Sequence, residues 1–377
     1  MIENPFIITE KVIPHYFCDR KEESARLIDL LKNGNNVVLI SPRRIGKTGL
    51  IQYCFDKSRV QREYITFYLD ILSTTDLKEF TFMLGNEVYN VLQKKGKKLV
   101  SAFLNSLKSL SGKLGFDPFS GTPTLSFQLG DITHPEYTLK EIFSFLASAS
   151  KPCIVAIDEF QQVVKYPEQN VEALIRSHIL QINNCRFIFS GSEKHILEEM
   201  FLSPARPFYQ SCTYMSLEVI PEEDYVKFIR DMFKEGGRDM PEELARKVYR
   251  MFEGHTFYIQ RVCNALYNKT PKAGTATEEN LKNALDEIFF SYDLLFRARL
   301  SRISVKQKEL LFAVAKERRV ENPTSLEFIR RNSLTSASSV QAALRALIKD
   351  DIIIKDNEGC EVWDKFFAMW IRRNYVN

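Results

Sequence analysis

Residues 41–48 read Ser41-Pro42-Arg43-Arg44-Ile45-Gly46-Lys47-Thr48 and match the pattern G-x-x-x-x-G-K-[ST] at every fixed position except the first. In loops of this pattern, backbone N–H groups wrap phosphates, and the N-terminus of the following helix adds the positive end of its dipole. The Lys47 ammonium is expected to reach the β- and γ-phosphates, and the Thr48 hydroxyl to ligate Mg²⁺. We therefore predict that residues from Ser41 to Gly49 bind ATP, with a chance basic helix start as the alternative.

The neighbouring sequence supports this interpretation. Val37–Ile40 is a short apolar run with β-branched residues, typical of a parallel strand buried on both faces, and helical spacing resumes from Gly46 to Phe55. The pattern therefore lies between a strand and a helix, which is the context a phosphate-binding loop requires. Ser41 replaces the first Gly and tolerates a positive φ less well, so a strained loop or weaker affinity follows if that position needs such a conformation.

Four further strand candidates alternate with helical segments: Ile65–Leu69, Cys153–Ile157, Arg186–Phe189 and Thr213–Leu217. This alternation predicts an α/β fold in which five parallel strands are covered by helices on both faces. We expect a P-loop NTPase core over residues 1–217. An inserted loop or hairpin is expected at about 111–131, where Gly, Pro and Ser become frequent and Thr124–Leu129 alternates like an exposed strand.

After the last strand candidate, residues 218–300 show helical patterns only. From 301 onward the order is helix, helix, helix, hairpin, which is the order of a winged helix. Ser304 with Gln307 and Thr324 with Glu327 form predicted capping boxes. Residues 356–359 are predicted to turn the hairpin.

A second acidic motif completes the expected site. Asp158 and Glu159 directly follow the apolar run Cys153–Ile157. A carboxylate at the tip of a buried strand can hold Mg²⁺ through water, and a neighbouring glutamate can act as general base toward the attacking water. We predict these roles for Asp158 and Glu159, with an ordinary acidic strand end as the alternative.

Four other residues are weaker candidates. Ser190 and Ser192 follow the strand candidate Arg186–Phe189 and are interpreted as γ-phosphate sensors or as ordinary turn formers. Arg206 is a candidate for compensating charge in the transition state, or a surface arginine. His255 lies at a turn between two helices, where it contacts the nucleotide or caps a helix.

Composition sets the broader class. The 377 residues carry a formal charge of +4, too small to indicate nucleic-acid binding by itself. The seven cysteines are scattered singly without C-x-x-C pairs, as expected of reduced thiols. Residues 1–11 lack the apolar stretch of a signal peptide, and no apolar run approaches the ~20 residues that span a bilayer. We expect a cytoplasmic protein without a membrane partner.

These motifs, in this order, resemble the archaeal-type ATPases, a prokaryotic branch of the AAA+ and STAND P-loop proteins. The segment Phe17-Cys18-Asp19-Arg20-Lys21-Glu22-Glu23 is similar to the family's F-x-x-R-x-x-E motif, and the resemblance continues in residues 42–48, 157–161, 190–192, 254–258 and 363–370. It implies an ASCE/AAA+ core, a helical lid at 218–300 and a winged helix at 301–377. Thr256 departs from the Pro common in the lid motif, which affects the expected nucleotide contact of that region.

The sequence therefore favours an ATP-hydrolysing switch that couples nucleotide state to the lid and the winged helix. The alternatives are a nucleotide-gated protein-interaction or DNA-binding regulator with little hydrolysis, and a small-molecule kinase. Gln341, Arg345 and Lys349 on the third winged-helix segment favour DNA as a partner. Nearby acids oppose it because they repel phosphate: Asp350, Asp351, Asp356, Glu358 and Glu361. A protein partner and a homo-oligomer stay open.

Overall fold

The computed structural model describes residues 4–8, 14–18, 20–42, 44–110, 115–116, 123–124, 129–356 and 358–376. Contacts divide the chain into two compact units. We call Thr9–Ile220 the sheet unit, and Met1–Ile8 together with Pro221–Asn377 the helical unit. The predicted boundaries within these units, including the one between a lid and a winged helix at 300/301, stay predictions.

Five parallel strands form the centre of the sheet unit. They are β1 Val37–Ile40, β2 Ile65–Asp70, β3 Cys153–Asp158, β4 Cys185–Gly191 and β5 Thr213–Ser216. Their order in the sheet is β2-β3-β4-β1-β5. All neighbouring pairs are parallel. The predicted fold class is thus confirmed, and every residue of β3 is buried, as its continuous apolar run indicates.

Helices cover both faces of this sheet. They are α1 Lys21–Lys32, α2 Lys47–Asp56, α3 Ser58–Glu63, α4 Leu77–Gln93, α5 Lys97–Ser106, α6 Pro135–Ser148, α7 Val171–Leu180 and α8 Lys194–Leu202. Short 3₁₀ segments lie at Pro14–Tyr16, Lys108–Leu110, Leu129–Asp131 and Phe160–Lys165. One core cluster packs α1 and α2 against one face of the sheet. A larger cluster packs the helices α4, α5, α6, α7 and α8 against the other face. The two faces therefore each bury their own apolar layer.

The predicted insertion contains a short hairpin. Gly115–Phe116 pairs antiparallel with Pro123–Thr124. The alternating segment that we interpreted as a strand at Thr124–Leu129 lies largely outside the described residues.

From Pro221 onward the helical unit contains α9 Glu222–Glu235, α10 Glu242–Met251, α11 Thr256–Lys269 and α12 Glu278–Ser301. They are followed by α13 Val305–Glu317, β6 Arg319–Val320, α14 Leu326–Arg331, α15 Ala337–Lys349, β7 Ile353–Asp356, β8 Gly359–Val362 and α16 Lys365–Tyr375. The three strands form an antiparallel sheet in the order β6-β8-β7. The three helices α13, α14 and α15 and the β7–β8 hairpin follow the predicted order, with β6 as an additional strand after α13 and α16 as a further helix that was not predicted.

One predicted cap is confirmed and one is wrong. Ser304 and Gln307 form the expected capping box of α13. Thr324 does not cap α14, because Ser325 takes the N-cap position and accepts from the N–H of Phe328. Thr324 instead donates its hydroxyl to Asn322. Ser325, the adjacent hydroxyl residue, therefore has the capping role that was predicted for Thr324.

The start of the chain groups with the helical unit, which the sequence did not indicate. Phe6 is 1% exposed, and its ring lies 5.5 Å from that of Phe233 and 6.1 Å from that of Tyr267. Asn264 donates its amide to the carbonyl oxygen of Phe6 at 2.7 Å.

No helix among the described residues is long and apolar enough to cross a membrane.

Candidate functional site

The loop after β1 turns directly into α2. Gly46 has φ 103° and occupies the N-cap position, a conformation that glycine adopts without steric cost. The Lys47 side chain is buried, and its ammonium donates to the carbonyl oxygens of Ser41 and Pro42 at 3.1 Å each. Lys47 is thus held over its own loop, where phosphates are expected. Arg43 lies outside the described residues.

Ser41 does not meet the condition for backbone strain. The residues with positive φ among those described include Arg44 at 67° but not Ser41. Ser41 is buried and donates its hydroxyl to the carbonyl oxygen of Pro42 at 3.2 Å. A glycine is therefore not required at position 41 by backbone conformation.

Residues before α1 support the loop from outside. The Arg20 guanidinium is buried and donates to Glu23 at 2.6 Å and to the carbonyl oxygen of Ile45 at 3.3 Å. Phe17 lies so close to Gly49 that a Cβ there would come within 3.2 Å of its ring. The F-x-x-R-x-x-E motif thus has a visible role, which the sequence alone did not assign.

Asp158 ends β3 and accepts four hydrogen bonds from the residues that the structure describes. Its Oδ1 accepts from Ser190 Oγ at 2.7 Å and from the backbone N–H of Glu159 at 3.1 Å. Its Oδ2 accepts from Thr48 Oγ1 at 2.7 Å and from the Tyr68 hydroxyl at 2.7 Å. The structure therefore joins Thr48 and Ser190 to the same carboxylate, that of Asp158.

Acidic side chains are concentrated at the carboxyl edge of the sheet. Asp158 is 3% exposed, and no Lys or Arg in the described ranges forms an ion pair with it. Burial raises the pKa of Asp70, which ends β2 beside it, and the charges of Asp158 and Glu159 raise that pKa further. Burial also raises the pKa of Tyr68, with Asp158 adding to the effect.

This donor set fits a magnesium ion. Mg²⁺ usually keeps several waters and takes one or two carboxylates together with substrate phosphates, so it needs few protein ligands. Thr48 and Asp158 are the residues that would hold it. A cation there would balance a buried carboxylate whose partners among the described residues are hydrogen-bond donors.

Glu159 is held on the other side of the same strand end. It adopts φ 57°, and its Oε2 accepts from Gln161 Nε2 at 2.6 Å, Ser192 Oγ at 2.6 Å and Ser192 N–H at 3.2 Å. Gly191 allows this arrangement, because a Cβ there would lie 1.9 Å from Gln161 Oε1. Ser192 thus contacts the carboxylate expected to act as base. Gln161 lies in the motif 157–161, but the sequence predicted no role for it.

Two weaker candidates have other partners. Arg206 forms an ion pair with Glu172 at 2.7 Å and lies 3.8 Å from Glu199, and it has no hydrogen bond with Asp158 or Glu159. His255 belongs to the helical unit, at the N-cap position of α11. Its ring does not cap that helix, because Nδ1 pairs with the carbonyl oxygen of Phe252 at 3.0 Å.

Tyr68 is the contact that sequence reasoning missed most clearly. The available signal was its place on the predicted strand Ile65–Leu69, two positions before Asp70 at the strand end. Side chains at such positions share one sheet face near the carboxyl edge.

With this geometry described, comparison with known proteins gives the family. Residues 17–262 match an ATPase domain predominantly from Archaea. The match spans more than half of the chain. The chain belongs to this family. Residues 294–373 match a probable winged helix domain.

Solved structures share the fold. A Walker-type ATPase of Pyrococcus abyssi is 18% identical, with a TM-score of 0.67 over 98% of this chain and 99% of that one. The Orc1 protein of Aeropyrum pernix, determined in complex with DNA, is 12% identical, with a TM-score of 0.51 over 98% and 96%. These similarities concern the fold, that of a P-loop ATPase. No significant match is found among curated proteins.

Proposed function

We propose that this chain binds ATP with Mg²⁺ and hydrolyses it, using the loop from Ser41 to Gly49 together with Asp158 and Glu159. One observation carries the proposal. Thr48 and Asp158 are separated by 110 positions in sequence, yet the Thr48 hydroxyl donates to Asp158 at 2.7 Å. This contact brings the two motifs that Mg²⁺-dependent phosphate chemistry needs to one point.

Each residue has a role that its position supports. The backbone of the loop and the N-terminus of α2 would surround the phosphates, with Gly46 allowing the turn. Lys47 would exchange its two carbonyl partners for phosphate oxygens. Magnesium bound beside Thr48 and Asp158 would neutralise charge that develops on the phosphates.

Glu159 is the proposed general base. Its carboxylate lies next to that of Asp158 in sequence and is oriented by Gln161 and Ser192. A base must be held within hydrogen-bond reach of the water it activates, and these two donors fix its direction. Ser190 would sense the nucleotide through Asp158. Arg206 could compensate charge only after its ion pair with Glu172 opens.

We further propose that nucleotide state controls the helical unit, as in a molecular switch, with His255 as the nucleotide-facing residue of the proposed lid. The winged helix would carry the output. Gln341, Arg345 and Lys349 are exposed on α15 and are available to a partner.

DNA is the second candidate for that output, since the Orc1 protein of similar fold was determined with DNA. The ion pairs of β6 weaken the case for DNA: Arg319 is paired with Asp356 and Glu358, so its charge is already compensated within the chain. Filter-binding measurements with DNA at increasing salt concentrations would distinguish a DNA partner from a protein partner. A steep loss of DNA affinity with salt supports phosphate contacts, and absence of DNA binding at low salt leaves a protein partner.

The central test is ATP hydrolysis by the purified chain with Mg²⁺, compared with Lys47→Ala and Glu159→Gln. We expect both changes to lower turnover by about 10²-fold or more, with Glu159→Gln retaining nucleotide binding. Lys98→Ala, an exposed lysine of α5, serves as the matched control and should behave as wild type.

Three other results would change the conclusion. Binding without turnover in the wild type would make the chain a nucleotide-gated interaction protein. No binding at all would remove the proposal. Equal turnover in wild type and Glu159→Gln would remove Glu159 as the base.

A further inference from the structure

The acceptor positions of Asp158 are all taken. An ionised carboxylate has about four lone-pair sites. Four donors of the chain occupy them: Ser190 Oγ, the N–H of Glu159, Thr48 Oγ1 and the Tyr68 hydroxyl. A carboxylate that holds Mg²⁺ through a water must accept a hydrogen bond from that water. One of the four donors therefore has to leave before the proposed site is complete.

Three of these donors are poorly placed to leave. Ser190 is fully buried. The N–H of Glu159 belongs to the backbone and follows Asp158 directly. Thr48 keeps its place because its oxygen can bind Mg²⁺ while its proton still points to Asp158.

Tyr68 differs from them in its exposure. Like Ser190 it reaches Asp158 from a neighbouring strand, where it pairs in register with Ala156, two residues before the carboxylate. Unlike Ser190, however, it is only partly buried, so its hydroxyl can exchange the carboxylate for water. Its two neighbours on β2, Phe67 and Leu69, face the opposite, fully buried side and anchor the strand independently of the hydroxyl.

We propose that the Tyr68 hydroxyl is a placeholder on Asp158 Oδ2, occupying the acceptor site of a magnesium-bound water until Mg²⁺ and nucleotide displace it. This inference rests on the proposed function, because it assumes an ATP and Mg²⁺ site at Thr48 and Asp158. Tyr68 is a positioning residue in this scheme. Its hydroxyl donates a hydrogen bond to a buried carboxylate in the absence of metal. The free energy of that hydrogen bond must be overcome when Mg²⁺ binds, which raises the Mg²⁺ concentration that binding requires.

The test is the Mg²⁺ dependence of nucleotide binding in wild type and Tyr68→Phe. A non-hydrolysable ATP analogue with an N-methylanthraniloyl fluorophore is titrated at a series of free Mg²⁺ concentrations. Phe keeps the ring and removes only the placeholder. We expect the Mg²⁺ concentration for half-maximal binding to fall about fivefold, which corresponds to one net hydrogen bond. Binding of the analogue without Mg²⁺ should not change.

Tyr166→Phe is the matched control. The Tyr166 hydroxyl pairs with Thr74 in the same unit and has no hydrogen bond to Asp158, so the Mg²⁺ requirement should stay at the wild-type value. An equal or higher Mg²⁺ requirement in Tyr68→Phe would overturn the placeholder role. Absence of Mg²⁺-dependent binding in the wild type itself would remove the proposed function and this inference with it.

A second measurement keeps a hydroxyl at position 68 and observes its surroundings directly. With 3-fluorotyrosine incorporated at position 68, the ¹⁹F resonance should move when Mg²⁺ is added to the analogue complex, and should not move with Mg²⁺ alone. A resonance that is insensitive to Mg²⁺ in the analogue complex would show that the hydroxyl is not displaced.

Discussion

Gly191 sits where β4 ends, and the structure makes a sharp prediction for Gly191→Ala. A Cβ at this position would lie 1.9 Å from Gln161 Oε1 and 3.0 Å from Leu197 Cδ1. The amide of Gln161 would need to retreat by about 1.5 Å to reach ordinary contact distance. Gln161 is fully buried, so that movement has little room. The 2.6 Å hydrogen bond from Gln161 Nε2 to Glu159 would be lost.

Two effects of this change can be sized. Overpacking of a close-packed interior costs about 1–3 kcal/mol of unfolding free energy. For a unit of this length the thermal midpoint should fall by roughly 2–12 °C. Because Glu159 would lose an orienting donor, ATP turnover should fall on the order of tenfold to a hundredfold, with nucleotide binding kept.

The assay is thermal unfolding of Gly191→Ala, Gln161→Ala and the double variant, with ATP turnover measured on each. Removing the Gln161 amide should make Gly191→Ala much less costly, leaving only the Leu197 contact. Gly130→Ala is the matched control, since a Cβ there would meet nothing within 4 Å. If Gly191→Ala destabilises equally with and without the Gln161 amide, the contact does not explain the glycine.

Two further predictions concern the helical unit. Phe6→Ala should lower the unfolding free energy by about 3–5 kcal/mol, because a buried ring beside Phe233 is lost. Phe290 is 86% exposed, so Phe290→Ala should change the unfolding free energy little. Equal thermal midpoints of the two variants would contradict this prediction. Burial lowers the pKa of His255 below about 6.5, so the unfolded chain binds the proton more readily and stability should fall as pH drops below that value. Thermal unfolding between pH 7.5 and 5.5 should show a shallower loss for His255→Asn, and an unchanged slope would count against it.

The P-loop core could be predicted because its signals are local. A continuous apolar run such as Val37–Ile40 or Cys153–Ile157 indicates a strand buried on both faces, and the residues after it fall at the carboxyl edge of the sheet. The strand count and the class of fold follow from how often such runs alternate with helical spacing. Adjacent hydroxyl residues give nearly the same capping signal, which is why the sequence pointed to Thr324 although Ser325 caps α14.

What the sequence alone determined is therefore the order of the five parallel strands along the chain and the residue types at two strand ends. Which side chains meet there was decided by the tertiary structure. Tyr68 contacts Asp158 across 90 positions because β2 pairs with β3 in parallel register. Arg206 forms its ion pair with Glu172 because the fold places the first turn of α7 beside it. Phe6 joins the helical unit through contacts with residues over 200 positions away. Periodicity and propensity act over a few residues, whereas strand order, register and long-range packing depend on the whole folded chain.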